Sequence, residues 1–237
     1  MMLKYIYEDD DLIVVHKPAR MATESKDFGQ RDVVSEVRNH LSRAARKERN
    51  HADAPYTALI NRLDQPVEGI IIVGKNKKAA AELTRELTSG QITKHYLAVV
   101  RGTPPKETGT LINYLVRDKL SGDVRITEQD EKDAKRAELS YQVIMSKELT
   151  NRDDDSNEIR SLIRIHLITG RFHQIRVQMN GINCPIIGDR RHGDGQKSRI
   201  DGEIALCCAS MSFTHPKTKE KMEFSITPSG KAFGDFK

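Results

Sequence analysis

Hydrophobic positions along this chain follow two periods. Residues 12–16 (LIVVH) form a short apolar run closed by Lys17-Pro18, and residues 70–73 (IIIV) form another. Apolar runs of this length predict buried strands, the second buried on both faces, and the proline closes the first because it lacks a ladder donor. YLAVVRG at 96–102 predicts a further strand. Alternating patterns near 139–146 and 161–168, separated by the polar turn TNRDDDSNE, predict two more, with Ile163, Ile165 and Leu167 on one face. A last pair is expected near 204–213 and 222–227, flanking the turn HPKTKEK.

Helical spacing shows in three places. Val33, Val34, Val37 and Leu41 follow Asp32, a suitable cap. Ala79, Ala80, Leu83 and Leu87 lie between Asn76 and Gly90, which read as start and stop signals. Phe172, Ile175 and Met179 recur at helical spacing after the break Thr169-Gly170. Residues 19–30 read as a polar loop and the charged stretch 116–138 as a hairpin or mobile insertion. Without repeats, low-complexity tracts or a linker, the expectation is one domain over 1–237, of class α+β with a largely antiparallel sheet and few helices.

Composition narrows the function classes. The 237 residues are 37% hydrophobic and 31% charged, as in an ordinary globular protein, and 5% aromatic with no Trp, which argues against a stacking platform for single strands. A net charge of +5 suits a polyanionic partner. Arg38, Arg43, Arg46, Lys47 and Arg49, around the first helix, read as a solvated outer face in preference to an RNA-contacting one. The three cysteines, Cys184, Cys207 and Cys208, make neither a disulfide framework nor a zinc set. The opening MMLKYIYEDDD has no apolar signal core, and no run reaches the ~18 apolar residues of a membrane span. The expected location is the cytoplasm, without membrane contact.

Most motifs lead nowhere. Gly69-IIIV-Gly74-Lys75-Asn76 nearly spells a phosphate loop, but β-formers fill the curl and Asn76 replaces the Ser/Thr that would hold magnesium. The eight histidines have no metal-ligand spacing; His166 and His173 read as strand-face and helix-face residues. Asp9, Asp10 and Asp11 read as a turn before a strand. What remains is Asn61-Arg62-Leu63-Asp64-Gln65-Pro66-Val67-Glu68-Gly69. On local grounds Asp64 is a turn former, and Glu68 is near enough in sequence to suggest a glycosidase-like carboxylate pair, although spacing does not show that the two face each other.

Six separated segments, in order, resemble the RluA-type family of RNA pseudouridine synthases. NRLDQPVEGIIIV resembles H-R-L-D-x-x-T-S-G and its apolar strand, and YEDDDLIVVHKPARM resembles the early strand with Asn/His-Lys-Pro. KHYLAVVRG resembles K-x-Y-x-A-x-V-x-G, and ITGRFHQIRVQM resembles T-G-R-x-H-Q-I-R-x-H-M. PIIGDRRHG resembles P-I-x-G-D-x-x-Y-G, and LCCASMSFTHPKTKEKMEF resembles the closing L-H-A-x-x-L-x-F-x-H-P. Together they cover nearly the whole chain.

The resemblance implies a pseudouridine synthase fold: a curved, mostly antiparallel mixed sheet flanked by helices, with a central RNA-binding cleft. It implies that Asp64 is the catalytic carboxylate, that Tyr96 lies against the target uracil as stacking partner and as a candidate base for the C5 proton, and that Arg176 pairs with Asp64. Arg62 would fill the gap left by the extruded nucleotide, with Arg171, His173 and Gln174 on the RNA. The implied partner is structured rRNA or tRNA, the implied state a monomer with no protein partner, and neither cofactor nor metal is called for, because isomerisation exchanges no electrons. Asn61, Val67-Glu68, Gln178 and His192 depart from the family pattern, which bears on rate and substrate preference more than on reaction type. The catalytic strand begins almost at once, so the expectation is a chain without the small N-terminal S4 module, choosing its target through loops 19–51 and 116–138. Two rivals stay open: an RNA-binding relative that has lost catalysis, and a glycosidase using Asp64 with Glu68.

Overall fold

The computed structural model describes residues 3–27, 29–47, 54–150, 157–193 and 203–236. The chain divides into two compact units, one of residues 1–92 with 209–227 and one of residues 93–208 with 228–237.

The first unit opens with β1 (Lys4–Glu8) and β2 (Leu12–Lys17), an antiparallel pair. After the loop comes α1 (Val33–Lys47), then β3 (Ala58–Leu59), β4 (Glu68–Gly74) and α2 (Lys77–Thr88). β4 is buried along its whole length and pairs antiparallel with β2, Leu12 facing Gly74 and Lys17 facing Gly69. Gly69 takes φ +148°, a conformation that a side chain would resist. Leu12–Val15 and Ile70–Val73 are fully buried and form the core, as continuous β-branched runs predict.

Both helix starts follow their signals. Asp32 caps α1 by accepting from the Ser35 amide (2.7 Å), and Asn76 caps α2 by accepting from the Ala79 amide (2.8 Å). The apolar faces are narrower than their spacing suggests, because Leu41 and Leu87 are only half-buried. On α2 the buried neighbour is Glu86, whose carboxylate accepts from the Thr214 amide. Arg38 lies on the exposed side of α1, while Arg49 falls outside the described residues.

The second unit contains β5 (Thr93–Arg101), β6 (Thr108–Arg117), β7 (Val124–Thr127), β8 (Lys135–Thr150) and β9 (Asn157–Leu167), in the spatial order β5-β9-β8-β6-β7. Every pairing along that order is antiparallel. The charged stretch 116–138 is a hairpin: β6 and β7 are joined by a turn in which Asp118 Oδ1 accepts from the Leu120 and Ser121 amides. β8 and β9 run well beyond their predicted ends, and of the turn between them residues 151–156 lie outside the described residues. Ile163, Ile165 and Leu167 are buried on one face as expected.

α3 (Gln174–Gly181) starts later than the periodicity implies. His173 caps it at φ +53°, and Phe172 stays exposed instead of facing the core. Val177 of α3 packs with Leu115, Val124 and Ala137. β10 (Leu206–Thr214) begins in the second unit and ends in the first, where it pairs with β11 (Lys221–Ser225). A 3₁₀ turn, Lys231–Phe236, closes the described chain. The architecture is α+β with a mostly antiparallel mixed sheet and few helices.

Candidate active site

In the first unit, the segment carrying Asp64 is tied down at several points. Lys17 is fully buried, and its Nζ donates to the carbonyls of Pro18 (3.1 Å), Met21 (2.8 Å) and Gln65 (3.1 Å). Carbonyl dipoles thus replace water around the ammonium, and one of them belongs to the residue next to Asp64. Asn61 uses both ends of its amide on β4: Nδ2 donates to Ile70 O (3.0 Å) and Oδ1 accepts from Ile72 N (2.9 Å). Thr23 Oγ1 donates to Leu63 O (2.7 Å), and Leu63 and Val67 are buried anchors. The Val67 amide donates to Asp64 O (3.0 Å), closing the turn.

Asp64 is half-buried on this turn, with Arg62 and Gln65 exposed beside it. Such a carboxylate is held in one place yet open to a solute. Arg62 has Glu24 at 3.8 Å, and both are well exposed, so that pair is weak and readily exchanged for a phosphate. Glu68 is buried in β4 and meets His16 Nε2 at 2.7 Å. Lys17→Met is expected to leave three carbonyls without their donor and to lower stability by about 2–4 kcal/mol, read by urea denaturation.

In the second unit, Tyr96 is buried on β5 opposite Ile165 of β9. The segment after α3 docks on the same strand: Arg101 N donates to Pro185 O, Ile187 N to Val99 O, and Ala205 N to Ile187 O. Gly188 follows at φ +86°, where a Cβ would sit 2.2 Å from Glu203 O, so only glycine fits. The next residue, Asp189, grips Arg176 in a two-pronged pair, Nε–Oδ2 2.7 Å and Nη2–Oδ1 2.8 Å, with both side chains buried. Burial opposes the charge on Asp189, but the Arg176 hydrogen bonds and charge, helped by the Arg191 and His192 amides, hold its carboxyl below the usual range.

The sequence reading missed Asp189 as the partner that the second unit supplies to Arg176. The signal was available in the matched Gly-Asp of PIIGDRRHG. Gln174, expected on RNA, is buried: its Oε1 accepts from Thr169 Oγ1 and the Arg171 amide, and its Nε2 donates to Glu138 O and Gln178 Oε1. Its location is a correction to that expectation. A buried amide with four neighbours sets the entry of α3 and has no surface to offer RNA.

Arg171 is exposed, its Nε donating to Arg136 O. His173 stacks on Phe172 at 3.8 Å, and the Arg117 guanidinium lies 4.3 Å from the Phe172 ring centre. His173 Nδ1 and His192 Nε2 are 2.7 Å apart, and burial, followed by the charge of Arg176, lowers the pKa of His192. Lys94, before Tyr96 on β5, is likewise shifted down by burial.

One metal-like group occurs among the described residues: Asp9, Asp11 and His215 of the first unit, with ligand atoms within 4.8 Å. The lone pairs of Asp9 and His215 are already used. Asp9 Oδ1 accepts from the Asp11 and Leu12 amides and Oδ2 from Tyr7 and His215 Nε2, while His215 Nδ1 accepts from the Lys217 and Thr218 amides. The cluster is a turn lock, in keeping with the reading of the acidic triplet as a turn. Although burial opposes it, these hydrogen bonds lower the Asp9 pKa from 3.8 to about 2. A depressed carboxyl stabilises the fold above its unfolded pKa and loses that effect as pH falls through its folded one. Urea titrations between those two values should show a loss on the order of 1 kcal/mol that Asp9→Asn abolishes.

Comparison with known proteins places the chain among its relatives. The family described as RNA pseudouridylate synthase matches residues 11–181. An uncharacterized RNA pseudouridine synthase of Bacillus subtilis, YlyB, is 30% identical over 94% of this chain and 68% of that protein. The ribosomal large subunit pseudouridine synthase C of Escherichia coli is 29% identical over 92% of this chain and 64% of its own length. The tRNA pseudouridine synthase C of Vibrio cholerae is 25% identical over 93% of this chain and 89% of its own. Among solved structures, human RNA pseudouridylate synthase domain containing 1 superposes with a TM-score of 0.75 over 96% of this chain and 84% of that one, at 21% identity. With the matched segments in register and the fold shared, this chain belongs to the RNA pseudouridylate synthase family.

Proposed function

We propose that this protein isomerises uridine to pseudouridine in structured RNA with Asp64 as the catalytic carboxylate. The observation that carries the proposal is the half-buried Asp64 on a turn locked by Lys17, Asn61 and Thr23, inside the segment that matches the family's catalytic stretch. The reaction breaks the bond from N1 to C1′, turns the uracil and joins C5 to C1′; the C5 proton leaves and N1 regains one, so the formula is unchanged. A positioned carboxylate suffices, either attacking C1′ or removing the C2′ proton.

The other side chains take supporting roles. Arg176, oriented by Asp189, serves as counter-ion to Asp64, and Tyr96 lies against the uracil. A uridine held in its stack cannot bring its ribose to the Asp64 turn, so it must be flipped out at a cost of a few kcal/mol, which Arg62 offsets by filling the gap. Arg171 and His173 contact the RNA. The substrate class is rRNA or tRNA, supported by the names of the Escherichia coli and Vibrio cholerae relatives. The protein acts as a monomer in the cytoplasm. Among the described residues no helix is long and apolar enough to cross a membrane.

The test incubates RNA with the protein or with Asp64→Asn, treats it with carbodiimide and maps reverse-transcriptase stops. Stops that need Asp64 are expected. RNA binding without stops from the unaltered protein would instead favour a relative that has lost catalysis. Released sugar or free base would favour a glycosidase, against which the Glu68–His16 pairing already speaks.

A further inference from the structure

Two neighbouring rungs of side chains line one face of the second unit's strands. The first runs Thr110, Ser140, His166, His95 across β6, β8, β9 and β5, and the second runs Thr108, Gln142, Arg164. Members of the two rungs are two residues apart on each strand, so all lie on one face, the one opposite to Tyr96. Together they line an open groove of about 510 Å³.

Every functional group in the groove can donate a hydrogen bond, and no carboxylate lines it. The imidazoles of His95 and His166 stack with centroids 5.0 Å apart. Arg101 and Arg160 are paired with Glu158, and Arg125 with Glu131. Arg164, by contrast, is exposed and has no hydrogen-bond or ion-pair partner among the described residues. Glu138, two residues from Ser140 on β8, is already held by Arg136 at 2.6 Å.

We infer that this groove binds the phosphate backbone of the RNA substrate, away from the uridine being modified. The inference rests on the reading of the chain as an RNA-modifying enzyme. A row of hydroxyl, amide and imidazole donors around one unpaired guanidinium complements a polyanion. An open groove crossing four strands suits a chain of phosphates better than an enclosed small molecule. Its donors would fix the position of the RNA without reading sequence.

The experiment measures binding of transcribed large-subunit rRNA and of bulk tRNA over a salt series, with the full chain and with Arg164→Glu and Arg164→Lys. Arg164→Glu should weaken at least one RNA about tenfold and reduce the slope of log affinity against log salt by about one, while Arg164→Lys stays near the original. Wild-type affinity and slope in Arg164→Glu, for both RNAs, would overturn the inference. So would imidazole signals of His95 and His166 that shift with inorganic phosphate but not with RNA, which would mark a free-anion site. Arg164 is exposed, so a folded variant is expected, and its thermal midpoint is checked alongside. Asp64→Asn separates this inference from the catalytic one: unmodified RNA that still binds with the Arg164 dependence would sink only the latter, whereas Asp64-dependent stops without that dependence would sink only the former.

Discussion

Replacing Asp64 by Asn should abolish pseudouridine formation, a loss of at least about 10⁴-fold in turnover, while RNA affinity changes by less than about threefold. The amide is nearly the same size, and backbone and neighbouring side chains help to hold the turn around it: Val67 N on Asp64 O, Lys17 on Gln65 O, and Asn61 on Ile70 and Ile72. Loss of the negative charge is therefore the main change. An amide neither attacks C1′ nor accepts the C2′ proton, so both routes end. Single-turnover assays with mapped stops measure this directly. Turnover surviving within tenfold in Asp64→Asn would remove the residue from the chemistry.

Arg176→Ala should cost about 3–5 kcal/mol of stability as well as activity, because Asp189 would stay buried with its charge uncompensated. The sign with pH follows. Losing the guanidinium raises the Asp189 pKa, so the penalty should be greatest above the carboxyl range and shrink as acid protonates it. Protection by the Arg191 and His192 amides sets the lower end of the estimate. A second variant tells structure from catalysis. Arg176→Met with Asp189→Leu removes both charges and should recover most of the stability. If Arg176 serves the reaction, this folded double variant remains inactive. Recovered turnover would restrict Arg176 to holding α3 against the Asp189 segment.

The departures from the family pattern bear on whether the chain is a catalyst or an inactive relative. Asn61 bridges two backbone positions of β4. Glu68 meets His16 on the adjacent strand, and Val67 is a buried anchor. Gln178 joins the amide network below α3, donating to Asn113 Oδ1 at 2.8 Å, and His192 bonds His173. Each unusual residue has its own local partner or packing site. None of these substitutions removes Asp64, Tyr96 or Arg176, so they are poor grounds for expecting lost catalysis.

Much of the molecule was legible in the order of its residues. The buried strands at 12–17 and 68–74 and the caps Asp32 and Asn76 depend on local patterns: β-branched runs, and short polar side chains placed to accept from a helix's first amides. The short edge strand β1 and the full length of β8 and β9 were not legible, because exposed strand residues obey no apolar alternation.

The segment around Asp64 could be named from its neighbours in sequence, but its rigidity could not. Lys17 precedes Gln65 by dozens of residues, and only the folded chain brings its ammonium to that carbonyl. The same holds for Asp189 beside Arg176, for the inward turn of Gln174, and for the two rungs that gather Arg164 with His95 and His166. Periodicity and motif report what a residue can do within a few positions of itself. Which charge is compensated, and by what, depends on contacts between distant strands, and those were decided by tertiary packing.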